Sequence, residues 1–374
     1  MTRQHLVVSA VNLTEGGTLT VLRECLRAAR QALPESWQIT ALVHRADLVE
    51  VPGIRYLEFP DIKRRWLSRV RFEYFDCRVL ARDLKPDFWL ALHDMSPRVG
   101  SVAQAVYCHN AMCFYRMSLR EAWLDPKLVL FSWFYGLLYG LNIRANRAVV
   151  VQQDWIRQEF ERRYGIANVV VAHPLLDPAI PRVASKRQGA RFFYPSFPRV
   201  FKNFEVLLEA WALLCEDPSW SGELAVTVDG SENPYARDLI RRHGALRNVQ
   251  FTGRLTHAQV QDQYRRSDCL VFPSRLETWG MPLSEAKQHG LAVLASDLPY
   301  AHEAMGEYDG VRYFPPQDAR ALANLMRDFS RGGLAFFPVQ ARPVHAPYAR
   351  DWAGLLQLIL NLSPRRDAPR GDLR

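Results

Sequence analysis

Apolar positions along the chain fall into two alternating patterns: short continuous runs bounded by polar or turn residues, and longer stretches with helical spacing. Residues 5–11 (HLVVSAV) form the first short run, and their β-branched content predicts a strand. Residues 12–18 (NLTEGGT) read as a turn, and residues 19–33 carry helical spacing. Further strands are predicted at 38–44, 54–59, 88–92, 105–108 and 148–152, with a helix through the basic segment 62–82 and another through the apolar run 128–141 (LVLFSWFYGLLYGL). The second half repeats the pattern. A strand at 190–194 precedes a helix at 203–215, whose apolar residues Val206, Leu207, Ala210, Leu213 and Leu214 share one face. Strands follow at 224–228, 249–252, 269–272 and 292–295. Strands alternating with helices predict mostly parallel sheets covered on both faces. The fold class is therefore α/β, with two doubly wound Rossmann-like domains facing each other across a cleft and ligands expected at the carboxyl ends of the strands.

Length agrees, since 374 residues is about two domains' worth of chain. The stretch 169–181 holds Pro174, Pro178 and Pro181 and no helical period, so the interdomain linker belongs there. The boundaries drawn are 1–175 for the first domain, 176–188 for the linker and 189–345 for the second domain. Residues 346–362 form a C-terminal helix that packs back on the first domain. Residues 363–374, rich in Arg and Pro, form a disordered tail.

A hydrophobic share of 48% with 23% charged residues fits a chain that builds cores and excludes wholesale disorder. The six cysteines (Cys25, Cys77, Cys108, Cys113, Cys215 and Cys269) are scattered without a C-x-x-C pair, and no signal peptide is read at the start. Reduced thiols in the cytoplasm are the expectation. Cys108, His109 and Cys113 lack the second ligand pair that a metal site needs, so no metal is expected. The 14-residue apolar run is too short for a membrane span and predicts a buried helix, with an interfacial segment as the second reading.

A net charge of +9 favours anionic partners. Between residues 62 and 82, Lys63, Arg64, Arg65, Arg69, Arg71, Arg78 and Arg82 interleave with Trp66, Leu67, Val70, Phe72, Tyr74 and Phe75. This pattern suits either an anionic membrane surface or a solvated helix face over an apolar core. Elsewhere basic and acidic residues mix and no nucleic-acid-binding motif appears, so nucleic acid is not an expected partner.

The chemistry concentrates in residues 249–318. The strand at 269–272 ends in Pro273-Ser274, and a loop runs through Glu277 to Gly280. Pro282 stands where a helix would begin, a position that tolerates its missing N–H, and Glu285 is read in the first turn. Free N–H groups at a helix start face anions. Carboxylates beside them accept paired hydrogen bonds from vicinal hydroxyls of a sugar or ribose. The bland alternative is that Glu285 complements the helix dipole and Glu277 is solvated.

The run from Glu277 to Ala286 (ETWGMPLSEA) resembles the E-x(7)-E signature of the retaining GT-B enzymes of glycosyltransferase family 4. The segments around it resemble that family in order: 248–253 (NVQFTG) and 268–274 before it, then Gly290, 295–297 (ASD), Glu303 and Gly310 after it. The likeness is strong over 190–320 and weaker over 1–175. It implies a GT-B fold, a nucleotide-sugar-binding second domain and an acceptor-binding first domain. It further implies that Glu285 binds the ribose, that Glu277 touches the donor sugar, and that the backbone of Trp279, Gly280, Met281 and Pro282 lies near the diphosphate. Arg254 and Leu255 would border the base, and Lys202 would neutralise the diphosphate. The family's usual Arg position before that Lys is Phe197 here, which leaves Arg199 as the candidate. Gly16 and Gly17 resemble the family's glycine loop, where small residues let the backbone approach a ligand. His109 stands at the family's active-site His, and His93 and Asp94 are acceptor-pocket candidates.

The chain contains no D-x-D. Leaving-group stabilisation is therefore assigned to Lys202, Arg199 and helix N-termini, with no cofactor beyond the nucleotide-sugar substrate. The expected reaction is hexosyl transfer, of a mannose- or rhamnose-like unit, with retention, to a glycan or lipid-linked acceptor in bacterial surface-polysaccharide synthesis. The expected setting is the cytoplasm, peripheral to the inner membrane face. A non-catalytic GT-B protein with a decayed site is the alternative, and a GT-B epimerase or phosphorylase is a further rival.

Overall fold

A computed structural model describes residues 4–174 and 189–361; the expected linker and tail lie outside these residues. The chain divides into two compact units: Met1–Asn110, Phe134–Leu175 and Val344–Arg374 form the first, and Ala111–Trp133 with Leu176–Pro343 form the second. The segment Ala111–Trp133 thus leaves the sequence-drawn first domain. The cause is ionic and aromatic. Glu121 pairs with Arg275, Asp125 lies 3.0 Å from Arg199, and Tyr115 meets Phe201 edge-on at 5.9 Å.

In chain order the described strands are β1 (His5–Ala10), β2 (Gln38–Val43), β3 (Arg55–Glu58), β4 (Phe88–Ala91), β5 (Ala103–Cys108), β6 (Ala148–Val151) and β7 (Val169–Ala172). They continue with β8 (Arg191–Tyr194), β9 (Glu223–Val226), β10 (Val249–Phe251), β11 (Cys269–Phe272), β12 (Ala292–Ser296), β13 (Val311–Phe314) and β14 (Tyr348–Ala349). The first unit orders its sheet β14-β7-β6-β5-β4-β1-β2-β3, and the second orders its sheet β10-β9-β8-β11-β12-β13. Pairings such as Val8 with Ala41, Val8 with Leu90 and Leu270 with Phe193 are parallel. Parallel strands bury both faces, which explains the unbroken apolar runs. β7 corrects the sequence reading: Val169–Ala172, taken as the start of the linker, pairs with β6 as a buried strand.

Each sheet reverses direction once. In the first unit the chain builds outward from β1 through β2 and β3, then returns to β4 on the other side. In the second it builds from β8 through β9 and β10, then returns to β11. Loops leaving the carboxyl ends on either side of such a reversal diverge and open a crevice. The helix Trp352–Asn361 belongs to the first unit's core, where Trp352, Leu355, Leu356 and Ile359 join Leu22, Leu26 and Val8.

Three local differences bear on function. The helix expected through the basic segment runs unbroken over residues 66–84 after a 3-10 turn at Ile62–Arg64, with a π turn at Phe72–Asp76 inside it. Within it Arg69 is buried rather than solvent-facing. The apolar helix Pro126–Gly140 is only partly covered, and the helical window Leu128–Ala145 is long and apolar enough by length and composition to cross a membrane. Its expected burial is therefore corrected.

Candidate functional site

In the second unit, the loops that follow β8 and β11 flank the sheet reversal and bring two predicted residues together. Lys202 ends the 3-10 turn Val200–Lys202, and its Nζ lies 2.5 Å from Oε1 of Glu277. Both side chains are largely but not fully covered, 17% and 12% exposed. Asn203, in the left-handed region at φ 57, holds this corner. Its Nδ2 donates to the carbonyls of Pro273 (3.0 Å) and Pro316 (2.8 Å), and the Tyr194 hydroxyl donates to Lys202 O at 2.7 Å. A salt bridge in partial contact with solvent keeps both charges at hand for a ligand.

Gly280 caps the helix Met281–Gln288 at φ 85, a conformation that penalises any Cβ. An added Cβ would also stand 3.2 Å from Leu283 and 3.3 Å from Phe272. Trp279 turns its indole into the core, where Nε1 donates to Ser284 Oγ at 2.8 Å. Met281 is exposed and Pro282 half-buried. Because the helix begins at Met281, Glu285 stands one turn in rather than in the first turn as read from sequence. That removes the dipole explanation for Glu285. Its Oε2 accepts from the Tyr264 hydroxyl at 2.7 Å, and burial, then the Glu285 charge, raise Tyr264 well above the usual phenol range. The phenol therefore stays a donor and fixes the carboxylate. Gly253, at φ 63, leaves β10 against Asp229, followed by exposed Arg254 and half-buried Leu255. Arg199 is engaged by Asp125 at 3.0 Å and approaches the Phe197 ring at 5.5 Å.

In the first unit, Gly16 and Gly17 open the helix Gly16–Ala32 rather than ending the preceding turn. Gly16 is at φ 61, and a Cβ on either glycine would meet nothing within 4 Å, so only backbone conformation at Gly16 demands glycine. His93, Asp94 and His109 follow β4 and β5 and share one buried network. His93 Nε2 meets Ser9 Oγ at 3.0 Å and its Nδ1 lies 3.0 Å from Glu73 Oε1, with both the His93 and Glu73 side chains fully covered. Burial pushes Glu73 up to about 8, opposed by Arg69, and burial holds His93 well below the usual histidine range. Burial thus shifts both groups towards their neutral forms, with Oε1 and Nδ1 3.0 Å apart. This corrects His93 as an acceptor-pocket residue, since no face of it is open. Asp94, at φ 70, accepts from the His109 N–H (2.5 Å) and the Tyr139 hydroxyl (2.9 Å), which turns it inward as well. His109 keeps its Nε2 2.8 Å from the Leu92 carbonyl. A carbonyl only accepts, so the proton resides on Nε2, and Nδ1 carries the lone pair. Burial lowers the His109 pKa, against the pull of Asp94, and favours that neutral ring.

Tyr264, Asn203, Ser9 and Glu73 were not found from sequence. Asn203 carries a local signal, an Asn immediately before a helical run. Tyr264 does not, because its partner Glu285 lies on another helix. Among the described residues no group of three or more His, Cys, Asp or Glu could hold a metal ion, and Cys108 and Cys113 are buried.

Residues 184–336, which hold Lys202, Glu277, Gly280 and Glu285, match the model of the family described as glycosyl transferases group 1. This domain belongs to the group 1 glycosyl transferases. Among similar proteins, the serotype-specific mannosyltransferase WbdA of Escherichia coli is 26% identical over 162 residues, 42% of this chain and 20% of WbdA. The chain spans between 19% and 42% of the length of the curated relatives it matches. Among solved structures, the lipopolysaccharide outer core galactosyltransferase WaaB superposes with a TM-score of 0.63 at 14% identity, covering 89% of this chain and 91% of that one. The Anabaena protein HepE, solved in complex with UDP-glucose, superposes with a TM-score of 0.58 at 15% identity, covering 88% and 90%. These likenesses show the fold, and a group 1 glycosyl transferase domain in a chain of GT-B fold is the result.

Proposed function

We propose that this chain is a retaining glycosyltransferase that moves a hexosyl unit, mannose- or rhamnose-like, from a nucleoside-diphosphate sugar to a glycan or lipid-linked acceptor in bacterial surface-polysaccharide synthesis. The observation that carries the reading is the Lys202–Glu277 pair at 2.5 Å, on the two loops that flank the second sheet's reversal. The name of WbdA as a mannosyltransferase supports the mannose-like unit, and that of WaaB as a lipopolysaccharide outer core galactosyltransferase supports the acceptor class. The HepE complex with UDP-glucose supports a nucleotide-sugar donor.

In this reading Glu285, fixed by Tyr264, takes the ribose hydroxyls, and Arg254 with Leu255 borders the base. Backbone N–H groups of residues 280–282 and the Lys202 ammonium receive the diphosphate. Arg199 contributes only after releasing Asp125. The reaction is a front-face displacement. The bond from the sugar's anomeric carbon to the diphosphate oxygen breaks, and a bond to the acceptor oxygen forms on the same face. The acceptor proton passes to the departing diphosphate. Lys202 stabilises the charge that grows on the leaving group, and the scheme uses no metal. Glu277 orients Lys202 and accepts from a donor-sugar hydroxyl, while neutral His109 offers Nδ1 to another. Gly16 and Gly17 present backbone to the substrate. The chain works in the cytoplasm, peripheral to the inner membrane face.

The test is Lys202→Ala, measured for turnover and for donor affinity separately. Turnover falling about 100- to 1,000-fold with a much smaller change in donor Kd supports the leaving-group role. Equal losses in both contradict it, and no nucleotide binding by the unmodified protein establishes a decayed site instead.

A further inference from the structure

The Pro126–Gly140 helix distributes its polarity the wrong way round for water. Its three hydroxyl-bearing residues all turn inward. Ser132 donates to the Met112 carbonyl at 2.7 Å, Tyr139 to Asp94 at 2.9 Å, and Tyr135 is buried beside Arg69 at 3.2 Å. The outward positions are apolar. Leu130 (69% exposed), Trp133 (68%), Phe134 and Leu137 lie at helical spacing along one side, continued by Leu141 beyond the helix end. Isolated exposed apolar residues need no explanation, but a continuous stripe of this kind does.

The stripe continues onto a basic element. Trp66 meets Phe134 edge-on at 5.4 Å, which sets the Trp66–Arg71 helix alongside. That stretch of helix exposes Leu67 (79%), with Arg65 and Arg71 exposed at its two ends. Arg71 lies 3.7 Å from Asp76, and Glu73 is buried away from the surface, so the exposed Arg65 and Arg71 face it with Asp76 as the neighbouring carboxylate.

We propose that this face docks on an anionic phospholipid bilayer, with Leu130, Trp133, Leu137 and Leu67 in the interfacial layer and Arg65 and Arg71 on lipid phosphates. The helix lies in the interface rather than spanning it, because its inward face is packed into folded protein and cannot meet lipid. The apolar stripe, not the basic segment 62–82 alone, is the main anchor. The proposal deepens the lipid-linked reading of the acceptor, but it is measured without donor or acceptor, so its failure leaves the transferase reading untouched.

The experiment sediments the full chain with phosphatidylcholine vesicles, with and without phosphatidylglycerol. The expected result is binding that strengthens with phosphatidylglycerol, together with brominated-lipid quenching of a fluorescence component that Trp133→Phe removes. Leu130→Gln with Trp133→Gln is expected to weaken partitioning at least about tenfold, with melting temperature and nucleotide binding unchanged. Arg65→Gln with Arg71→Gln is expected to cost about fivefold per charge on phosphatidylglycerol vesicles. Full binding by the Leu130/Trp133 variant overturns the proposal. So does a vesicle-indifferent wild type that light scattering finds dimeric and the same variant makes monomeric, since a second copy then covers the face.

Discussion

Both units place polar side chains at strand ends beside a sheet reversal, yet they use them in opposite ways. In the second unit Lys202 and Glu277 face one another and retain solvent contact, and Glu285 commits one oxygen to Tyr264. In the first, Ser9, His93 and Glu73 close on each other with no exposed side-chain surface on the pair, and Asp94 is consumed by His109 and Tyr139. Position relative to the reversal therefore does not by itself make a site. What separates the two is solvent contact: the Lys202–Glu277 pair keeps 17% and 12% of its side-chain surface exposed, and the His93–Glu73 pair keeps none. The first network holds the His109 backbone through Asp94, and the second is the one proposed to meet a charged substrate.

The largest effect expected of that contrast is on turnover, where Lys202→Ala should lose about 100- to 1,000-fold while His93→Gln, if it folds, should lose far less. Comparable losses at the two would erase the distinction. Lys202→Ala combined with Glu277→Ala should be strongly non-additive in turnover, because each residue holds the other; additive losses would mean they act independently.

A middle-sized effect concerns backbone. Gly280→Ala forces a Cβ into the left-handed region against Leu283 and Phe272. It should cost about 1–3 kcal/mol of stability and impair nucleotide binding. The same change at Gly17, where nothing lies within 4 Å, should leave the melting temperature nearly unchanged.

The smallest effect is a pH dependence confined to the first unit. Glu73 ionises at about 8 in the fold against 4.5 as the ordinary value. A raised carboxyl pKa means the folded protein binds the extra proton, so this stabilisation is complete below about 4.5 and is lost as pH rises towards about 8. Glu73→Gln keeps a neutral partner for His93. It should match the wild type in melting temperature near pH 5 and exceed it near pH 9. A pH-independent difference would show that Glu73 is not the titrating group.

Much of the fold was legible because parallel strands advertise themselves as apolar runs between helical periods. β1, β4 and β11 lie within or at the edges of the sequence-drawn strands. β7 was not, because its valines run directly into the proline-rich stretch and read as linker. β14 was not, since a two-residue edge strand has no period to detect. The E-x(7)-E run was visible as a local pattern and Lys202 through the family resemblance, whereas Tyr264 with Glu285 and Ser9 with His93 are pairings made by tertiary structure. The outward face of Pro126–Gly140 ranked second to burial in the sequence reading for a related reason. An all-apolar helix has the same composition whether its large side chains point in or out, and only the packing of Tyr135 and Tyr139 decides.

The most direct measurement is calorimetry of the purified protein with UDP, GDP, dTDP, ADP and CMP, repeated in EDTA and with Glu285→Ala. The account predicts that one nucleoside diphosphate binds, that EDTA does not weaken it, and that Glu285→Ala reduces affinity on the order of tenfold or more by removing the ribose acceptor. Binding to none of them, or binding indifferent to Glu285→Ala, would contradict the donor site described for the second unit.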